Sequence, residues 1–209
     1  AYKMSSRIND NLLICSIYNQ IGEINTFLNN YQIALSNYKV GYDISKENKL
    51  VWQRAVFGVA LCKLYATIAE YDSSRYYGKE AYRIYQRVQH KNGLASVLAA
   101  LGQTYFLEGN YDKAFDYYEE ALKIAQQLNH SWLLAEISQK FATVHIKEGD
   151  LDKASELLKS SLDLSEKMGA KDLILNCYLS LSELHHKKHD YKYAFLYRKK
   201  YGNLRDSLF

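Results

Sequence analysis

The chain has 209 residues, of which 48% are hydrophobic and 24% charged, and its net charge is +4. The apolar fraction suffices for a sizeable core and excludes a disordered chain, and the mild, well-mixed charge gives no argument for nucleic acid. No proline occurs and glycines number only 10, which favours continuous helix, since proline lacks the amide donor and clashes with the preceding turn.

No apolar run reaches the length of a membrane span, and no secretory signal pattern opens the chain. The three cysteines, Cys15, Cys62 and Cys177, stand far apart without the spacing of a zinc site or a disulfide framework. Seven basic residues fall between Lys187 and Arg205, and they read as a solvated helix face.

A shift of 40 residues aligns the chain with itself without a gap. Met4, Ile44, Ile84, Ile124, Leu164 and Leu204 form a column of large aliphatics. Gly22, Cys62, Gly102, Ala142 and Ser182 form a small column, and Ala34, Ser74, Ala114, Ala154 and Ala194 a second one. Tyr31, Tyr71, Tyr111, Leu151 and Tyr191 share a further phase, as do Trp52 and Trp132. Small residues let helices approach closely, and the large columns fill the space around the contact.

In chain order, residues 1–9 read as the end of a truncated preceding repeat, because Ala1 holds the phase of the small residues Gly41, Ala81, Ala121 and Ser161. The repeats then run 10–48, 49–89, 90–129, 130–169 and 170–209. Within the third, Leu94, Val97, Leu98, Leu101 and Tyr105 have helical spacing. So do Tyr111, Ala114, Phe115, Tyr118, Ala121 and Leu122. Gly109-Asn110 between these runs is turn chemistry, repeated by Gly149-Asp150 and Asn29-Asn30. Further breaks are expected at Lys46–Lys49, His90–Gly93, Asn129–Ser131 and Gly169–Lys171. The last unit departs from the pattern, with Tyr201 in the column of Gly41 and Ala81, and reads as a modified terminal repeat.

The run Leu98-x-x-Leu101-Gly102-x-x-Tyr105, then Gly109-x-Tyr111-x-x-Ala114-x-x-x-Tyr118-x-x-Ala121, resembles the tetratricopeptide repeat. The resemblance covers the whole chain in five in-register copies. It departs from the family in its longer period, against about 34 residues, and in lacking the proline near the end of each unit. Period alone would also admit HEAT or armadillo repeats, but the order of small, small and aromatic columns argues against them. The resemblance implies an all-α fold, a right-handed superhelical solenoid of antiparallel helix pairs, whose first helices line a concave groove. It implies a protein or peptide ligand as the partner.

On that reading the groove presents Asn19, Glu23, Lys63, Gln103, Gln139, Thr143 and Glu183, most of them able to hydrogen-bond to the backbone of an extended peptide. The chaperone-binding members of the family use a lysine–asparagine clamp, and the corresponding pairs here, Asn19/Glu23, Val59/Lys63 and Ala99/Gln103, lack it. The segment Tyr193–Tyr201 with Arg205–Phe209 resembles the end of tetratricopeptide sensor regions in Bacteroidetes-type histidine kinase or helix-turn-helix regulators. That context implies a periplasmic array, whereas similar arrays in Gram-positive signalling-peptide receptors imply a cytoplasmic one. A free-standing scaffold is the other reading, and the oligomeric state is left open.

Catalysis is not expected, since no phosphate-cradling glycine loop, GxSxG or HExxH pattern is present. No cofactor, nucleic acid or membrane insertion is implied for this stretch. His185, His186 and His189 read as structural or solvated residues rather than metal ligands, because His185 shares the packing column of Tyr65, Tyr105 and His145. Tyr76, Tyr77, Tyr82 and Tyr85 fall outside the repeat columns and are expected at the surface or an interface. Cys62, in a small column, is expected to be a core thiol.

Overall fold

The computed structural model describes residues 2–207, with side chains from Asp10 onward. Ala1, Leu208 and Phe209, and the side chain of Met4, with the column ends drawn through them, lie outside the described residues. The described residues form ten α-helices and no strand: α1 Tyr2–Phe27, α2 Tyr31–Glu47, α3 Val51–Thr67, α4 Tyr71–Arg87, α5 Lys91–Glu108, α6 Tyr111–Gln127, α7 Ser131–Glu148, α8 Leu151–Met168, α9 Lys171–Lys187 and α10 Tyr191–Asp206. They divide into two compact units, Ala1–Gly109 with α1–α5 and Asn110–Phe209 with α6–α10.

Each helix packs against the next within its unit, and first helices also meet across one position, α1 and α5 against α3 and α7 against α9. The small columns permit this. A Cβ on Gly22 of α1 would stand 2.2 Å from the Tyr38 ring of α2, and one on Gly41 of α2 would stand 2.1 Å from the Phe57 ring of α3. Ala34, Ala114 and Ala154 are fully buried at the corresponding contacts, as is Ser74. The core of the first unit gathers Tyr38, Tyr42, Phe57, Leu61, Leu64 and Tyr65. In the second unit Tyr118 is fully buried and lies over Phe141, with ring centroids 6.1 Å apart.

The turns keep one geometry while their residues vary. Asn29, Lys49, Ala69, Gln89, Asn129 and His189 all have positive φ, as do Gly109, Gly149 and Gly169. Most end their helix with the six-to-one bond of a Schellman turn, for example Leu50 N to Ser45 O at 2.8 Å, Glu70 N to Tyr65 O at 2.9 Å and Asp190 N to His185 O at 2.9 Å. At several turns a side chain caps the next helix. Asn110 Oδ1 accepts from Lys113 N at 3.2 Å, and Asp150 Oδ1 from Lys153 N at 3.1 Å.

Helix α1 runs unbroken across residues 8–10, the phase at which the later units turn. Tyr85, expected at the surface or an interface, is buried, packed edge-on under Trp52 with centroids 5.9 Å apart. Tyr77 is half-buried and stacks on Tyr65 at 5.6 Å, while Tyr76 is exposed.

Cys62 is buried in a polar seam rather than at the surface. Ser74 Oγ donates to the Cys62 carbonyl at 2.7 Å and lies 2.8 Å from Thr104 Oγ1, tying α3, α4 and α5 together. Cys177 sits 3.1 Å from Ser161 Oγ, and burial pushes its thiol up, as it does that of Cys15. Raised, buried thiols are poor nucleophiles.

Candidate functional site

The first helices of the first unit, α1, α3 and α5, border a hollow of about 460 Å³. Helix α3 supplies its floor because its sequence is apolar almost all round, and Val56, Val59, Ala60 and Leu64 face the space. Asn19, Glu23 and Thr26 reach it from α1, Lys63 and Thr67 from α3, and Asn92 and Ser96 from α5. One carboxylate, one ammonium group and several neutral hydrogen-bonding groups therefore surround an apolar floor. Such a mixture suits a chain with amides to satisfy and a small apolar side chain to bury.

The walls are held by packing. Asn19 Nδ2 donates to Glu23 Oε1 at 2.8 Å, one helical turn on. Thr26 Oγ1 donates to the Gly22 carbonyl at 2.8 Å and lies 3.5 Å from the Tyr38 hydroxyl. Burial pushes the Tyr38 phenol up, so it stays neutral. At the α5 end, Gly93 lets the Tyr85 ring lie against the helix, since a Cβ there would stand 2.4 Å from it. Burial pushes the Tyr85 phenol up to about 12. His90 Nδ1 accepts from Gly93 N at 2.9 Å as the cap of α5, and its ring packs on Trp52 with centroids 4.2 Å apart.

Of the seven groove residues inferred from sequence, Asn19, Glu23 and Lys63 line this one hollow. Gln103 stands half-buried on α5 without lining it. The other three belong to the second unit. Gln139 is buried, and its Nε2 donates to Ser180 Oγ at 2.8 Å, bracing α7 against α9. Thr143 donates to the Lys140 carbonyl at 2.6 Å. Glu183 of α9 pairs with Lys147 of α7 at 2.7 Å. The sequence reading missed the floor residues and the Tyr85–His90–Trp52 wall. The signal for the wall was Gly93, a glycine two residues inside a helix, which marks a close approach.

A second hollow of the first unit, about 540 Å³, is bordered by Arg54, Lys79, Arg83 and Arg87 with Glu80. Glu80 accepts from the Tyr42 hydroxyl and lies 3.5 Å from Arg54 Nε, so part of that charge is already neutralised.

The histidines near the end of α9 make ring contacts of their own. The His185 ring stacks on Tyr193 and Tyr197 at 5.3 and 5.4 Å, while His189 occupies the turn at φ 57. Among the described residues no group of three His, Cys, Asp or Glu side chains is disposed to hold a metal, and no helix is long and apolar enough to cross a membrane.

Residues 59–127 match the family model of the tetratricopeptide repeat. No curated protein matches the chain in sequence. Among solved structures the chain is similar to a Rap protein crystallised with competence and sporulation factor, with TM-score 0.82, 18% identity, and coverage of 93% of this chain and 54% of that one. It is similar to BtubC from P. vanneervenii, with TM-score 0.71, 16% identity, and coverage of 96% and 84%. It is also similar to the Rap conjugation gene regulator of plasmid pLS20 solved with the Phr* peptide, with TM-score 0.68, 18% identity, and coverage of 95% and 57%. The chain thus spans about half the length of the Rap proteins it matches, and the likeness is one of fold.

Proposed function

We propose that this tetratricopeptide-type repeat chain is a binding module whose first unit takes an extended peptide, or an extended segment of a partner protein, in the hollow between α1, α3 and α5. The observation that carries the reading is the convergence of Asn19, Glu23 and Lys63 on one apolar-floored space of about 460 Å³. An extended peptide exposes amides at every residue and side chains alternately. The neutral groups Asn19, Asn92 and Ser96 answer the amides, Val59 and Ala60 accept a small apolar side chain, and Glu23 and Lys63 fix the direction of the chain. Two proteins of the same fold support this use, one solved with a peptide and one with competence and sporulation factor.

The test is selection of random peptides of about ten residues on the immobilised chain, followed by binding to variants. Val59→Glu and Lys63→Glu should each weaken the selected peptides by about tenfold or more with the helical content unchanged. Equal affinity for wild type and both variants would remove the hollow from the reading.

The wider setting is part of the same proposal. A binding array of this kind serves as the sensory or interaction region of a larger signalling or transcription regulator. An apolar run of about 20 residues or an output domain encoded beyond Phe209 would agree with that setting. A stop codon there would favour a free-standing adaptor. The exposed aromatics of α10, Tyr191, Tyr193 and Phe195, favour a further contact at that helix in either setting.

A further inference from the structure

Helix α4 carries a row of cations that breaks with the rest of the repeat. Lys79, Arg83 and Arg87 stand at successive turns, and with Arg54 of α3 they border the hollow of about 540 Å³. Glu80 is the one carboxylate among its lining residues. At the phases of Lys79, Arg83 and Arg87, α2 has Lys39, Asp43 and Glu47, and α8 has Lys159, Asp163 and Lys167. Those rows mix their signs, and Lys167 Nζ lies 2.7 Å from Asp163 Oδ2. Opposite charges one turn apart stabilise a solvated helix face, and like charges destabilise it. The row on α4 is all of one sign. Among the described residues Lys79, Arg83 and Arg87 make no ion pair and no side-chain hydrogen bond.

Arg54 is a second departure. In the other repeats its position holds Ile14, Leu94, Leu134 and Ile174, so packing there asks for a large aliphatic side chain. The Arg54 side chain is only 28% exposed. Its Nε is buried without a hydrogen bond, 3.5 Å from Glu80 Oε1. Glu80 also accepts from the Tyr42 hydroxyl, so a single carboxylate is divided between two partners. A half-buried guanidinium with a shared counterion keeps positive charge to offer, and a further anion would complete its pairing.

The spacing of the row sets the form of that anion. Residues four apart on a helix are separated by about 6 Å along its axis. Alternate residues of an extended chain are about 6.6–6.8 Å apart. Acidic side chains at alternate positions of an extended segment therefore come into register with the three cations. Val51 and Tyr76, 42% and 61% exposed, border the same hollow and add apolar contact. A nucleic acid strand fits less well. Its phosphates follow a longer path, whereas the cations on α4 end after about 12 Å. On α2 the exposed Asp43 and Glu47 stand at the phases of Arg83 and Arg87.

We infer that the hollow between α3 and α4 is a docking site for an acidic segment of a partner protein, whose carboxylates pair with Arg54, Lys79, Arg83 and Arg87. Guanidinium groups suit this task because each can hold a carboxylate through two parallel hydrogen bonds. The hollow shares no lining residue with the one between α1, α3 and α5, so acidic docking does not depend on a peptide in that other space.

The test uses a fluorescein-labelled peptide of about ten residues with glutamate at alternate positions, titrated with the whole chain and read by anisotropy. The peptide should bind, and added salt should weaken it. Arg83→Glu and Arg87→Glu should each lower its affinity about tenfold or more. Lys159→Glu, at the phase of Lys79 on α8, changes the net charge equally and should leave affinity within about twofold. Arg54→Leu restores the aliphatic column, so it should weaken the peptide at least about threefold without lowering the melting temperature. Arg83 and Arg87 are exposed, so their variants decide the matter even if Arg54→Leu folds poorly. The assignment falls if the acidic peptide does not bind, or if a version with glutamine for glutamate binds as well. It also falls if Lys159→Glu costs as much affinity as Arg83→Glu, or if a single-stranded oligonucleotide of equal charge binds more tightly than the peptide.

Discussion

The two units use the same repeat phases for different ends. In the first unit Asn19 and Val59, one period apart, both face an open hollow. In the second unit their counterpart Gln139 is buried and bonded to Ser180. Lys63 lines the hollow, while its counterpart Glu183, three periods on, is tied to Lys147. Phase fixes where a side chain starts on its helix. The neighbouring helix decides whether that side chain meets solvent or a partner.

Both units rest on the same close helix packing, and its removal should have a large effect. Phe57 is 1% exposed and fits over Gly41. Phe57→Ala should destabilise the chain by about 3–5 kcal/mol through lost burial and a cavity, measured by urea unfolding. A cost below about 1 kcal/mol would mean that the close contact of α2 and α3 does not carry the first unit.

A sharper contrast lies in the paired polar columns. Gln139→Ala leaves the buried Ser180 hydroxyl without its amide partner and should cost about 1–2 kcal/mol with no change in peptide binding. Lys63→Ala should change stability by less than about 0.5 kcal/mol and weaken binding in the hollow. The reverse pattern would move the binding face to the second unit.

The fold was largely legible in sequence because the columns are steric. Gly22 beside Tyr38, Ala34, and the small residues Ser74 and Ala114 can only mark close helix crossings when they recur at one phase. Gln139 was not legible as a packing residue, because its partner Ser180 lies on another helix and neither type declares burial. Tyr85 was misjudged since its burial depends on Gly93 making room and Trp52 covering it, two residues at unrelated phases.

The turns show how far tertiary packing overrides local preference. Lys49, Ala69 and Gln89 adopt the left-handed conformation without being glycine or asparagine. For a residue with a Cβ that conformation costs about 1 kcal/mol. Ala69→Gly should therefore raise stability by somewhat less than about 1 kcal/mol, the gain being offset in part by the freer unfolded chain. Gly109 and Gly149 hold the same turn with glycine already, so Gly149→Ala in the second unit should lower stability by a similar amount. Equal effects of opposite sign would confirm one turn geometry in the two units.

The smallest effect concerns pH and again separates the units. Tyr65 and Tyr105 fill a column in the first unit that His145 fills in the second. His145 is buried against Phe115 and Phe141, with centroids 5.5 and 4.6 Å away. Burial holds its imidazole below the usual histidine range, and Lys153 adds to this. Asp150, 3.4 Å from Nδ1, opposes the shift together with Glu148. A histidine whose folded pKa lies below its unfolded value is neutral in both states at high pH. As pH falls below about 6.5, the unfolded chain takes up the proton first, so folding stability declines until the folded pKa is passed. Urea midpoints should accordingly drop between pH 7 and pH 5, and His145→Tyr, which restores the column residue of the first unit, should remove that part of the decline. If the tyrosine variant declines as steeply as the wild type, the pH sensitivity resides elsewhere, and burial of His145 does not govern it.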